Sequence, residues 1–425
     1  MTEVTDLLAY IESSPSPYHA VAESVRRLSA AGFTPWDPSL SDPDPRGSRY
    51  WVRGGSLVAW IAADGHDDQP FRVIGAHTDS PNLRVKPHPD LRSAGFRELA
   101  VEVYGGALWN SWLDRDLGIS GRVVLSTTEG LVTRLFRVDE PLLRVPQLAI
   151  HLDRDVNNVG LKLNPQVHLN PVWGLAAGDD SDFQSFLARR VGATRQEVMA
   201  WDAMLHDLTP PSRFGAAGEF LAAPRIDNLL SCWAGTEALV RCADRTADSK
   251  STPVLCMFDH EEVGSTSATG ADGTLLGTTL EQVVLSRGGD RASFLSTLAR
   301  SVCLSADGAH GTHPNFPERH DPGHPISLDG GPVIKVNANQ RYASDAETVA
   351  IVVDAARRAG VPHQFFVSRN DQPCGSTIGP LTAARLGIRT VDVGVAQLSM
   401  HSAREMCGAK DPLRFVDLLT SFATG

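Results

Sequence analysis

One stretch restricts the fold of this chain more than any other: Val254-Leu255-Cys256-Met257-Phe258 is wholly apolar and runs straight into Asp259-His260-Glu261-Glu262. A short apolar run of this kind, bounded by polar residues, reads as a strand buried on both faces of a sheet. Two adjacent glutamates at a strand end ordinarily face solvent. Here the small-residue stretch Gly264-Ser265-Thr266-Ser267-Ala268-Thr269-Gly270 follows them, which places them in the crevice where open α/β sheets bind ligands. Neighbouring carboxylates in such a crevice can divide labour. One ligates a metal ion while the other, left unbound, takes a proton from the metal-held water.

The surrounding chain suits an α/β fold. Leu7, Leu8 and Ile11 form an apolar stripe, and Ser16 with Pro17 starts a second amphipathic helix carrying Val21, Val25 and Leu28 inward. Phe71-Arg72-Val73-Ile74-Gly75-Ala76 reads as a buried strand that delivers His77 at its end. From about residue 86 to residue 221 the texture becomes short β-like runs broken by Gly and Pro, and after Pro224 helices and strands alternate again. The simplest architecture makes one α/β domain of residues 1–85 and 222–425 and inserts a β-rich domain, 86–221, between its halves. A chain of 425 residues is long enough for two such cores.

Charge and cysteine usage narrow the class of function. Lys and Arg number 39 against 50 Asp and Glu, a balance of −11 that speaks against nucleic acid or an anionic membrane as a partner. The N-terminal residues are acidic where a secretory leader is basic, and six cysteines are scattered without a C-x-x-C pair. A cytoplasmic protein is expected.

Four further clusters carry possible chemistry. In His77-Thr78-Asp79 the spacing lets Asp79 hold the ring of a ligating His77. Asp227, in Pro224-Arg225-Ile226-Asp227-Asn228, stands before an apolar helical run, as a helix cap or as a carboxylate bridging two metal ions. Asp307 and His310 lie in Ser305-Ala306-Asp307-Gly308-Ala309-His310-Gly311, and His401 in Gln397-Leu398-Ser399-Met400-His401-Ser402. His320, His324 and His363 read as polar loop residues. Two histidines and three acids at strand ends come close to the ligand count of two tetrahedral zinc ions sharing a carboxylate. No H-E-x-x-H, G-x-S-x-G or P-loop motif occurs. Cys374 precedes a glycine and reads as part of a turn offering backbone N–H groups rather than as a nucleophile.

The strings Ala76-His77-Thr78-Asp79-Ser80-Pro81-Asn82-Leu83, Pro224-Arg225-Ile226-Asp227-Asn228, Asp259 to Ser265, Val333 to Ala343 and Gln397 to Ser402 resemble the M18 family of metalloaminopeptidases, the aspartyl aminopeptidases, over nearly the whole chain. The resemblance implies an α/β/α zinc-peptidase domain with an inserted dimerisation domain, assembled as a dodecamer built from dimers. It implies two zinc ions per subunit, replaceable by cobalt or manganese: one held by His77, Asp227 and Asp307, the other by Asp227, Glu262 and His401. It further implies Glu261 as general base, Asp79 as the residue that orients His77, and His151 reaching substrate from a neighbouring subunit, with zinc ligation as its second reading. His310, Lys335 and Tyr342 match substrate-contacting positions, and Lys335 is the candidate partner for an acidic N-terminal side chain. Peptides are the implied substrates. The rival readings are a dinuclear zinc carboxypeptidase or deacylase, and a catalytically silent zinc-containing assembly protein.

Overall fold

In the computed structural model, which describes residues 3–39, 44–62, 69–178, 181–243 and 250–425, the chain packs as two compact units. The first comprises Met1–Asp79, Pro211–Met400 and Glu405–Gly425, the second Ser80–Pro210 and His401–Arg404.

The first unit is built on a nine-stranded mixed sheet. From one edge to the other the strands are Thr34–Pro35, Gly47–Arg53, Ser56–Ala62, Thr252–Phe258, Phe71–His77, Val302–Ala306, Arg389–Gly394, Val333–Val336 and Gln364–Val367. Thr252–Phe258, Phe71–His77, Val302–Ala306 and Arg389–Gly394 are mutually parallel neighbours. Strand alternation sorts their side chains into two apolar layers. Leu57, Ala59, Ile74, Ala76, Leu255, Met257 and Leu304 pack with residues of helices Glu3–Ser13, Pro17–Ala30, Ile226–Ala243, Ala346–Ala359 and Asp411–Ala423. Val58, Trp60, Val73, Val254, Cys256 and Cys303 pack with residues of Leu275–Ser286, Arg291–Arg300 and Ile378–Leu386. With helices on both faces, the unit is an α/β/α sandwich. Gly235 allows one helix to approach closely, since a Cβ there would lie 2.6 Å from Leu255 Cδ1. The predicted start of the second helix is present: the Ser16 side chain caps Pro17–Ala30, with proline in its first turn.

A five-stranded sheet completes this unit in the order Ser212–Phe214, Phe220–Ala223, Glu405–Gly408, Ala396–Leu398, Ala309–His310. Its first strand lies within the sequence span read as the insertion, and its second begins there.

The second unit is a six-stranded antiparallel sheet ordered Gly130–Leu143, Leu117–Thr127, Val198–Asp207, Asn82–Ser93, Phe96–Tyr104, Val172–Leu175. Its core gathers Leu83, Leu99, Leu117, Ile119, Val123 and Leu205 with Phe183 and Leu187 of helix Phe183–Val191. The divisions between the units fall at Asp79/Ser80 and Pro210/Pro211, and strand Asn82–Ser93 pairs with strands of the second unit. No described helix is long and apolar enough to cross a membrane.

Candidate metal centre

Parallel strands share one C-terminal edge, so whatever follows them in sequence emerges together. Register makes this concrete. Phe258 stands opposite His77 on one side, and Ser305 stands opposite Gly75 on the other. His77, the Asp259–Glu262 turn and Asp307 therefore meet at one end of the sheet. Asp227 arrives from the first turn of Ile226–Ala243, where its backbone is non-helical (φ −79°, ψ 105°), as is that of Asn228. The cap-like reading gives way to a side chain held outside the regular helix.

His77 is buried, and its Nε2 lies 3.4 Å from Asp227 Oδ1, 3.4 Å from Asp307 Oδ1 and 4.0 Å from Glu261 Oε2. A charge-assisted hydrogen bond would close to about 2.7–2.9 Å. Two ligand atoms about 2.1 Å from a tetrahedral zinc ion stand about 3.4 Å apart. The spacing of His77, Asp227 and Asp307 thus suits three corners around a cation better than hydrogen bonds to the imidazole. Ligand atoms of Glu261 and Glu262 also fall within 4.8 Å of His77, and Glu262 within the same distance of Asp227.

Electrostatics points the same way. Burial, then the negative charges of Asp307, Asp79 and Asp227, push Glu261 up to about 8 against the pull of His77. Burial and Asp227 raise Glu262 well above the carboxylate range. Burial opposes charge on His77, yet Asp227, Asp307 and Asp79 raise it well above its ordinary value. Without a cation this group must take up protons to relieve its crowding, and a divalent cation would replace them. Imidazole and carboxylate donors at these separations fit zinc.

Asp79 meets the imidazole with two groups: its backbone carbonyl lies 3.0 Å from His77 Nδ1, and its carboxylate Oδ1 lies at 3.4 Å. The carboxylate also accepts the backbone N–H groups of Glu261 and Glu262, each at 3.1 Å. One residue thereby touches both the imidazole and the two-glutamate turn. Cys232 Sγ donates to the His77 carbonyl at 2.9 Å, and burial pushes that thiol up to about 12, so it stays a neutral donor. Asn228 Nδ2 donates to the Ala306 carbonyl at 2.8 Å, tying the Asp227 turn to the strand that carries Asp307.

Lys335 is 2% exposed, and its ammonium donates to the Gly308 carbonyl at 3.0 Å and the Asp307 carbonyl at 3.3 Å, with Asp307 Oδ2 at 3.5 Å. Tyr342 lies beneath it, its ring centroid 5.0 Å from the Lys335 nitrogen. Tyr342 and the exposed His310 both flank Phe366, at ring separations of 6.2 and 6.1 Å. Sequence reasoning passed over two buried acids of this unit. Asp392 pairs in register with Lys335 and accepts from Ala343 N at 2.7 Å and Thr377 Oγ1 at 2.5 Å. Glu405 accepts from Asp227 N. The signal available for Asp392 was an acid interrupting the apolar run Val391 to Val393.

The other two candidates belong to the second unit. His401 Nδ1 lies 3.1 Å from the Gly106 carbonyl, and its own carbonyl accepts from Leu108 N at 3.0 Å. A proton on Nδ1 donated to Gly106 leaves Nε2 as the lone-pair nitrogen, the state a metal ligand needs. His151 is exposed in a segment with little regular structure, amid the exposed side chains of Leu148, Ile150 and Leu152.

Comparison with known proteins completes the description. The family model for aminopeptidase I zinc metalloproteases (M18) matches residues 10–423. The chain is 53% identical over 423 residues to a probable M18 family aminopeptidase 2 of Streptomyces avermitilis, covering 99% of this chain and 97% of the relative. It is 51% identical over 421 residues to the protein of the same description in Mycobacterium tuberculosis, covering 98% and 96%. Among solved structures, a chain from the complex of Ape4 and Nbr1 superposes with a TM-score of 0.95 at 35% identity, covering 99% of this chain and 85% of that one. The mApe1 dodecamer of S. cerevisiae superposes at 0.86 with 28% identity, covering 99% and 96%.

Proposed function

Because this chain belongs to the M18 family of zinc metalloaminopeptidases, we propose that it removes N-terminal residues, aspartate and glutamate by preference, at a centre of two zinc ions. The observation that carries this reading is the convergence of His77, Asp227 and Asp307, with Glu261 and Glu262 alongside, on the C-terminal edge of the parallel strands. His77, Asp227 and Asp307 would hold one ion, and Asp227, Glu262 and His401 the other, with Asp227 shared. Bound there, zinc would supply Lewis acidity, polarising the scissile carbonyl and acidifying the attacking water.

The residues of the chain do the rest. Glu261, drawn close to His77 but not part of either ligand set, takes the water proton on its carboxylate and passes it to the departing amine. A carboxylate that stands beside the ligands and outside both sets is placed to serve both halves of that transfer. Asp79 keeps the Glu261-Glu262 turn in register through two backbone N–H groups. Lys335, a buried cation beside Asp307 and Tyr342, supports the acidic preference. His310 and Tyr342 would line the same end of the substrate site, and His151 would reach it from a neighbouring subunit.

The assembly in this reading is a dodecamer built from dimers, supported by the similarity to the mApe1 dodecamer and by the apolar side chains exposed on the second unit. The second unit would serve as the dimerisation domain. Residence in the cytoplasm also belongs to this reading, and the six free cysteines accord with a reducing compartment. Assay of free and N-acetylated peptides in zinc, cobalt and manganese tests the whole. An aminopeptidase loses its substrate when the amine is blocked, whereas undiminished hydrolysis of the blocked peptide would point to a carboxypeptidase or deacylase.

A further inference from the structure

We infer that Glu405 is a positioning residue for Asp227, holding that ligand's backbone so that its carboxylate faces His77 and Glu262. The inference rests on the ligand assignment proposed above and adds to it a residue outside both ligand sets.

Glu405 begins the strand Glu405–Gly408, which pairs antiparallel with Phe220–Ala223 so that Ala223 stands opposite it. The chain leaves that pairing at Ala223, turns through Arg225 at φ +57°, and reaches Asp227 in a non-helical conformation. The Asp227 N–H points to the Glu405 carboxylate instead, donating to Oε2 at 2.9 Å. Glu405 is 2% exposed. A buried carboxylate is costly to keep, and a hydrogen bond from an amide to an ionised oxygen is among the stronger kinds. Orientation is its return: with the Asp227 main chain pinned, Oδ1 is set 3.4 Å from His77 Nε2, and a ligand oxygen of Asp227 lies within 4.8 Å of one on Glu262. Because Asp227 is the carboxylate common to both proposed ligand sets, a small rotation of its backbone would disturb both.

The test uses the full-length assembled protein and reads zinc affinity by competition with a chromophoric chelator, alongside kcat and KM at saturating zinc. Glu405→Gln keeps an oxygen acceptor at the same reach without the charge. Glu405→Asp keeps the charge but withdraws the acceptor by about 1.5 Å, one carbon–carbon bond. Positioning through the hydrogen bond predicts that Glu405→Gln binds zinc within about threefold of the wild type, while Glu405→Asp and Glu405→Ala bind roughly 10- to 100-fold more weakly. Wild-type affinity in Glu405→Asp overturns the inference. So does a Glu405→Gln variant as weak as Glu405→Asp, which would show that an oxygen acceptor at the right reach does not hold Asp227. If Glu405→Ala fails to fold, the Gln and Asp pair still decides. Asp227→Asn is the control for the underlying assignment: loss of zinc there with wild-type affinity in Glu405→Asp sinks only the role of Glu405, whereas full zinc retention in Asp227→Asn sinks the ligand assignment itself.

Discussion

The two units of this protein break the rule of apolar inside and polar outside in opposite ways. At the C-terminal edge of its parallel strands the first unit buries His77, Asp79 and Asp227, with Glu405 behind them. The second unit exposes Leu148, Ile150, Leu152, Val159 and Val167, with Leu152 74% and Val159 63% accessible. Each arrangement is unfavourable for a subunit alone. Buried like charges call for a counter-cation, and an exposed apolar stretch calls for a surface to cover it. A departure from ordinary burial therefore marks, in each unit, where something outside that unit enters the account.

The largest effect should come from the first unit. Glu261→Gln is expected to lower kcat by about 10²–10⁴-fold while leaving zinc content near normal, measured by steady-state hydrolysis of an N-terminal aspartyl peptide together with metal analysis. Near-wild-type turnover would remove Glu261 from the role of base. Next, Lys335→Ala should cut the preference for acidic over neutral N-terminal residues by about tenfold or more, the scale of one charge-assisted hydrogen bond. An unchanged ratio of kcat/KM across a peptide library would show that the ammonium serves only Asp307 and Gly308.

The second unit is probed by assembly and stability. Leu152→Asp should shift the mass seen in sedimentation velocity from the large oligomer to smaller species while zinc binding persists. An unaltered sedimentation profile would mean that this apolar stretch covers nothing between copies. The smallest effect expected is at Asp182, the cap of helix Phe183–Val191, whose side chain accepts from Ser185 N at 2.9 Å. Asp182→Ala should destabilise the unit by about 1 kcal/mol in denaturant unfolding. Two Arg195 N–H groups on Oδ2, together with the cap, hold the Asp182 carboxyl well below its usual range. A lowered folded-state pKa gives stability that is present above about pH 4, the unfolded value, and is lost as pH falls through the lowered one. Asp182→Asn should keep most of the cap and flatten that acid limb.

Some of this was legible in the chain because the residues concerned are neighbours in sequence. The apolar run into Asp259-His260-Glu261-Glu262 and the strand delivering His77 each carry their own context, since a buried strand with a polar end is a local pattern. The same holds for the Ser16-Pro17 helix start. Asp79 shows the limit. Its spacing from His77 was informative, but the further contact of its carboxylate with the Glu261-Glu262 turn, 182 residues away, was not. Lys335 shows it again: the residue type announced a cation, and only packing turned that cation toward Asp307 and Gly308.

By itself the sequence determined which residue types stand at strand ends, the alternation that makes an α/β/α sandwich, and the motifs that fix the family, because these depend on local periodicity and on strings a few residues long. Tertiary structure alone decided what those residues meet. The parallel register aligns Phe258 with His77 and brings Asp307 alongside, and the pairing of Glu405 with Ala223 sets a buried carboxylate against the amide of Asp227. Contacts between residues nearly two hundred positions apart are set by strand order and register, which no short stretch of chain encodes.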